Sequence, residues 1–206
     1  MSSSPSEGWR SATTDGSHRS DARLDALLAG LASDRPVPAG GSAAAAAVAI
    51  AAALLEKAAR LSTTHWASAE VALEQANALR LRAEELVEAD SLAYMSFVEA
   101  LRAAKGLRGQ ARERAVAPAR AMTVNVPLAI ARLGAETVEL ASALAARGNP
   151  NLRADAMVAA TIAAAAATAA ARLIAVNLAS ARTDPRLDEA RRTAEAASER
   201  AGLLGD

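Results

Sequence analysis

Leu24, Leu27, Leu28 and Leu31 recur at i, i+3, i+4 and i+7, the spacing that lines one face of a helix, so the chain opens with a helix over 21–33. Pro36 and Pro38 close it. Gly40-Gly41-Ser42 then leads into a helix from Ala43 to about Leu61 in which alanine is nearly continuous. Ser42 has the side chain of an N-cap, although no acidic residue follows at the capping-box position. From His65 to Ala104, Leu73, Leu79, Leu86 and Val87 sit among Glu70, Glu74, Arg80, Arg82, Glu84 and Glu85, the pattern of an amphipathic helix with one solvated face. Its length predicts a bend near Asp90.

Lys105-Gly106-Leu107-Arg108-Gly109 reads as a connector. The next helical pattern runs from Gln110 to Arg147 with Pro118 and Pro127 inside it. Proline lacks a backbone donor and crowds the preceding turn, so Pro127 predicts a kink or a restart. Gly148-Asn149-Pro150 is a stop, and Asn151 or Asp155 begins a second alanine-rich helix that reaches about Ala181. Thr183-Asp184-Pro185 breaks it. A last helix over 186–201 carries charge on most faces, which predicts a place outside the core. Short connections favour antiparallel neighbours. The pattern therefore predicts an all-α fold, an up-and-down bundle of about five or six helices.

Composition supports α over β. The apolar share is 52% but aromatics make up only 2%, and alanine has the highest helix propensity and lets backbones approach closely. The alanine-rich stretches raise the question of membrane spans. Ala43 to Leu55 is too short to cross a bilayer, while Ala156 to Ala181 is interrupted by Arg172 and Asn177, so both are expected to be bundle helices. Residues 1–20 are polar and lack the apolar run of a secretory signal, which predicts a disordered tail before one helical domain over 21–206.

The 23 basic and 23 acidic residues cancel, so no charge excess draws the chain to nucleic acid or an anionic membrane. The absence of cysteine rules out disulfides, zinc-thiolate sites and thiol catalysis, and fits a reducing, cytoplasmic setting. With His18 and His65 alone, a multi-histidine metal site is not expected, and no metal is assigned.

A few polar residues stand out against this background. Gly40 and Gly41 before a helix permit close backbone approach and positive φ, which suits either an anion at the helix start or a tight entry turn. No lysine follows them, so the loop is not of the Walker type. Asp90 lies on the stripe of Leu86, Ala93, Tyr94 and Phe97, as either an acid at the stripe's edge or an acid with a task. Asp155 and Asn177 share a similar face of the second alanine helix but lie about six turns apart. Asp155 suits a helix start, Asn177 is an amide in need of partners, and Lys105 follows a helix end that favours a cation.

Taken in order, PVPAGGSAAAAAVAIAAALLEKAARLS, LVEADSLAYMSFVEALRAAK, VPLAIARLG, RGNPNLRADAMVAA and AVNLASARTD resemble the cyclodeaminase/cyclohydrolase family of folate enzymes. That family includes the cyclodeaminase domain of formiminotransferase-cyclodeaminase and stand-alone methenyltetrahydrofolate cyclohydrolases. The resemblance covers Leu24 to the last helix and implies a helical bundle that forms a homodimer, with a tetrahydrofolate derivative bound near the subunit interface and no separate cofactor. It implies Asp90 as the catalytic residue, Gly40, Gly41 and Ser42 as the family's glycine-serine opening, and Lys105, Asp155 and Asn177 as polar positions lining or bracing the folate site. A dimer would bring Asp155 and Asn177 nearer to one pocket. The sequence departs from the family pattern at Ala39, where its first glycine usually stands, at Ala104, where proline is common, and at Glu88, which replaces a frequent aspartate. If position 39 needs positive φ, Ala39 alters the loop, and the alternative is a non-catalytic, folate-binding or scaffold homologue.

Overall fold

Alanine sets how closely these helices pack. In the computed structural model, which describes residues 18–178 and 183–205 with side chains from Leu24 onward, the chain divides into two compact units at Pro36 and Val37. The first contains α1 (His18–Leu31), which begins three residues before the position the leucine pattern marks. Most of the expected tail, and Ala179 to Arg182, lie outside the described residues.

The second unit holds α2 (Gly40–Arg60), α3 (Ala69–Ala103), α4 (Gly109–Arg147), a short 3₁₀ turn at Pro150–Leu152, α5 (Arg153–Asn177) and α6 (Pro185–Gly202). No strand occurs among the described residues, so the all-α bundle holds. Within this unit, helices consecutive in the chain run antiparallel, whereas α4 and α6 run parallel, with Arg132 meeting Glu189 and Glu139 meeting Arg200. Along α2 and α3, Ser42 meets Asp90 and Glu56 meets Arg80, while Gly40 of α2 touches Leu173 near the end of α5 and Lys57 meets Asp155 near its start.

The core is built mainly from alanines of α2 and α5, with Val48, Leu55, Ile130, Leu133, Val138 and Ile174 filling the wider spaces. Gly134 marks the closest approach of α4 to α5: a Cβ there would stand 2.8 Å from the Ala163 carbonyl oxygen. Both alanine-rich helices are long and apolar enough to cross a bilayer, yet half of each one's most apolar stretch is buried within the bundle.

α3 is one continuous helix through Asp90. Two expectations change. α6 is not peripheral: Leu187, Ala190, Ala194 and Ala197 are buried, forming an apolar stripe among its charges. Most informative is α4, a single 39-residue helix with Pro118 and Pro127 inside it. Proline 127 cannot donate to the carbonyl four residues back, that of Thr123. Asn177, the last residue of α5, donates its Nδ2 to that same oxygen at 2.7 Å. The side-chain amide of one helix thus replaces the backbone donor missing from another, and the helix continues.

This substitution of one donor for another makes a prediction. Asn177→Ala should cost about 1 kcal/mol, because the Thr123 carbonyl loses its partner at a partly exposed site. In a Pro127→Ala background, where a backbone N–H is restored, the same change should cost measurably less. Chemical denaturation of the four proteins of that double-mutant cycle checks it; equal costs in both backgrounds would separate Asn177 from the proline.

α6 has its own N-cap. Asp184 accepts from the Arg186 backbone N–H at 3.0 Å and grips the Arg186 guanidinium, which also reaches Asn125 of α4 at 2.8 Å. The guanidinium and the backbone amide hold the Asp184 carboxyl down at about 2. A carboxyl depressed in the fold stabilises above its unfolded pKa and loses that contribution as pH falls through the folded value. The stability of the wild type should therefore fall between roughly pH 4 and pH 2 more steeply than that of Asp184→Asn, as followed by helical circular dichroism.

Candidate functional site

The first turn of a helix has backbone N–H groups with no partner in the helix itself. In α2 the residue at the N-cap is Ala39, which offers no side-chain cap. Ser42, expected to be that cap, lies one turn inside, because the helix begins at Gly40 rather than Ala43. A neighbouring helix supplies the missing acceptor: the Ser42 N–H donates to Asp90 Oδ2 of α3 at 2.9 Å. The Ser42 hydroxyl lies 3.1 Å from the same oxygen, 3.0 Å from the Val87 carbonyl and 3.2 Å from the Ser91 hydroxyl. Ser42 is fully buried and Asp90 half-buried.

Gly41 makes this approach possible. A Cβ at that position would stand 2.7 Å from Asp90 Oδ2 and closer still to Oδ1 and Cγ, inside any real contact distance. The requirement at Gly41 is for space rather than for positive φ, which among the described glycines occurs only at Gly109. Gly40 is less constrained, since a Cβ there would meet only Leu173, at 3.7 Å. Ala39 has φ −136°, extended backbone open to any residue, so this position does not need the positive φ that glycine would supply. The Val37–Pro38 peptide just before it is cis.

The two carboxylate oxygens of Asp90 therefore differ. Oδ2 is fixed by Ser42, while nothing among the described residues donates to Oδ1. Burial pushes the Asp90 carboxyl above its ordinary range; the two Ser42 hydrogen bonds pull it down but do not offset the loss of water. An acid anchored through one oxygen, without a donor on the other among the described residues and raised in pKa, can exchange a proton with a bound molecule.

Gly40, Gly41, Ser42 and Asp90 thus form one cluster at the end of the bundle where α2 begins. Asn177 lies at the same end, one turn beyond Leu173, with its amide nitrogen committed to Thr123. Lys105 and Asp155 do not join the cluster within one protomer. Lys105 follows Asp90 by fifteen positions along and just past α3, about 20 Å at helical rise, and is exposed. Asp155 pairs with Lys57 at 3.2 Å, and Lys57 lies fifteen positions along α2 from Ser42, again about 20 Å away. None of the seven residues lines either of two grooves between helices. One, of about 500 Å³, lies between α3 and α4 beside Trp66, Leu79 and Leu140. The other, of about 630 Å³, lies between α5 and α6 beside Ala171, Ala175 and Ala194. Among the described residues no group of acids and histidines could hold a metal ion.

The role of Ser42 as the anchor for Asp90 was missed by sequence reasoning, which treated it as a local cap. Its signal was the lack of an acidic residue at the capping-box position, which leaves the first-turn amides to be satisfied from elsewhere.

Comparison with known proteins now adds to this geometry. No curated protein matches the chain by sequence. The fold matches the crystal structure of formiminotetrahydrofolate cyclodeaminase from Thermotoga maritima with a TM-score of 0.72 at 20% identity, over 88% of this chain and 92% of that one. The family model for formiminotransferase-cyclodeaminase matches residues 23–196, a span that holds all seven site residues. The chain belongs to the formiminotransferase-cyclodeaminase family.

Proposed function

We propose that this protein is a one-carbon enzyme acting on a tetrahydrofolate derivative, with Asp90 as the group that moves protons at the carbon bridging N5 and N10. The observation that supports this reading is the asymmetry of Asp90, with Oδ2 fixed by Ser42 and Oδ1 left without a donor among the described residues. Family membership supports a folate as the substrate class.

Two reactions centre on that carbon. In cyclohydrolysis, water adds to the cationic amidinium carbon of a methenyl folate, loses a proton, and a carbon–nitrogen bond opens to leave a formyl group. In cyclodeamination, N10 attacks the carbon of an N5-formimino group and ammonia departs after taking up a proton. Each path removes a proton from the attacking atom and delivers one to a leaving nitrogen, work suited to a single positioned carboxyl that burial has raised above its ordinary range. As a carboxylate, Asp90 also stabilises cationic character at the reacting carbon. Lys105, supplied across a subunit interface, would take the substrate's carboxylates. In this reading the enzyme acts in the cytoplasm as a homodimer, and the second protomer brings Lys105 and Asp155 nearer to the Asp90 cluster. No metal or redox cofactor takes part.

Parallel spectrophotometric assays on methenyl- and formimino-tetrahydrofolate test the proposal. Turnover of one substrate assigns the reaction. Turnover of neither, with tight folate binding retained, would leave a folate-binding homologue without activity.

A further inference from the structure

The chain contains one tyrosine, one phenylalanine and two tryptophans in 206 residues. The tyrosine and the phenylalanine both lie close to Asp90 on α3, four and seven positions after it. Those spacings put Tyr94 and Phe97 on the Asp90 face of the helix, with successive Cβ atoms about 6 Å apart.

The buried core does not account for them, although Phe97 is half-buried. The hydrophobic core is made from alanine and aliphatic side chains, and neither ring belongs to it or packs against it. Tyr94 is 43% exposed, an unusual position for the only tyrosine in a chain that uses so few aromatic residues. The antiparallel register of α2 and α3 explains the exposure. Asp90 faces Ser42, in the first turn of α2, so α3 has passed the start of α2 by the time it reaches Tyr94 one turn later. α2 therefore does not extend over Tyr94, which lies at the same end of the bundle as Gly40 and Asp90 Oδ1.

We propose that Tyr94, backed by Phe97, is the stacking platform for the flat pterin-type heterocycle of the substrate, holding its reacting carbon against Asp90 Oδ1. The inference rests on the folate reading above and adds the residues that place the substrate. A bare phenol ring beside an acid gains its contact area only when a flat ligand covers it, and the ring face suits one with cationic character. The phenol hydroxyl is not needed for stacking.

The test measures calorimetric binding of 5-formyltetrahydrofolate and of p-aminobenzoylglutamate, the fragment without the heterocycle, to wild type, Tyr94→Ala, Tyr94→Phe and Met95→Ala. Met95 is 42% exposed and points away from the Asp90 face, so it controls for general surface effects. The expected result is a loss of about tenfold or more in 5-formyltetrahydrofolate affinity for Tyr94→Ala, with wild-type affinity in Tyr94→Phe and Met95→Ala. Affinity for the fragment should stay unchanged in all four. In turnover, Tyr94→Ala should raise KM more than it lowers kcat. Wild-type folate affinity in Tyr94→Ala would overturn the platform while leaving the folate reading intact, as would an equal loss of fragment binding. Absence of folate binding and of turnover in the wild type would overturn both.

Discussion

Gly41→Ala is expected to reduce turnover by about as much as removal of the Asp90 carboxyl, roughly 10² to 10⁴-fold, and to destabilise the fold by about 1–3 kcal/mol. The new methyl group would occupy space that the Asp90 carboxyl now fills. Either α2 and α3 move apart or Asp90 rotates out, and both break the bonds from Ser42. The Ser42 N–H then loses its acceptor in a first turn that has no side-chain cap of its own. The adjacent glycine provides the contrast. Gly40→Ala meets only Leu173 at ordinary contact distance, and should leave stability unchanged or raise it by up to about 1 kcal/mol through the lower flexibility of the unfolded chain. Thermal melts and turnover on the two folates, measured for both variants, check the pair. Equal effects at Gly40 and Gly41 would show that the requirement is for loop flexibility rather than for space beside Asp90.

The helices were largely legible in the sequence, because periodicity and stop signals are local. Gly148-Asn149-Pro150 marks a break where the pattern puts it and Asp184-Pro185 starts α6, but α5 ends at Asn177, short of the Ala181 that the pattern gives. What escaped is what one helix does for another. Pro127 reads as a kink or a restart, and nothing local shows that Asn177, fifty residues later, donates to the carbonyl it leaves free in a helix that does not restart. Ser42 reads as its own helix's cap until Asp90, 48 positions on, is seen to take that part. The alanine stripe of α6 was hidden for another reason: alanine weighs little in a pattern of apolar residues, yet Ala190, Ala194 and Ala197 are buried at helical spacing. At the site, resemblance picked out Asp90, but only the antiparallel register of α2 and α3 distinguishes it from Asp155, which is tied to Lys57 at the other end of α2.

Asp90→Asn should separate chemistry from structure. The asparagine carbonyl can still accept from the Ser42 N–H and hydroxyl, so the start of α2 keeps its partner. The amide cannot take or give a proton in the range where the enzyme works, so turnover should fall by about 10² to 10⁴-fold while folate still binds. Stability should move the other way. Burial raises the Asp90 carboxyl in the fold, so the native state holds its proton to a higher pH than the unfolded chain does. A raised carboxyl contributes least to stability once pH has passed its folded value, because native Asp90 then carries a partly desolvated charge. Wild type should therefore lose stability relative to Asp90→Asn as pH rises from about 4 through that value, and the variant should be at least as stable as wild type at neutral pH. Denaturation series at several pH values measure this difference, and the acid limb of the wild-type rate profile should reflect the same raised ionisation. A variant that is both inactive and less stable at neutral pH would mean that Asp90 is kept to cap α2; one that is inactive and no less stable would mean that the fold gives up stability there to hold a working acid.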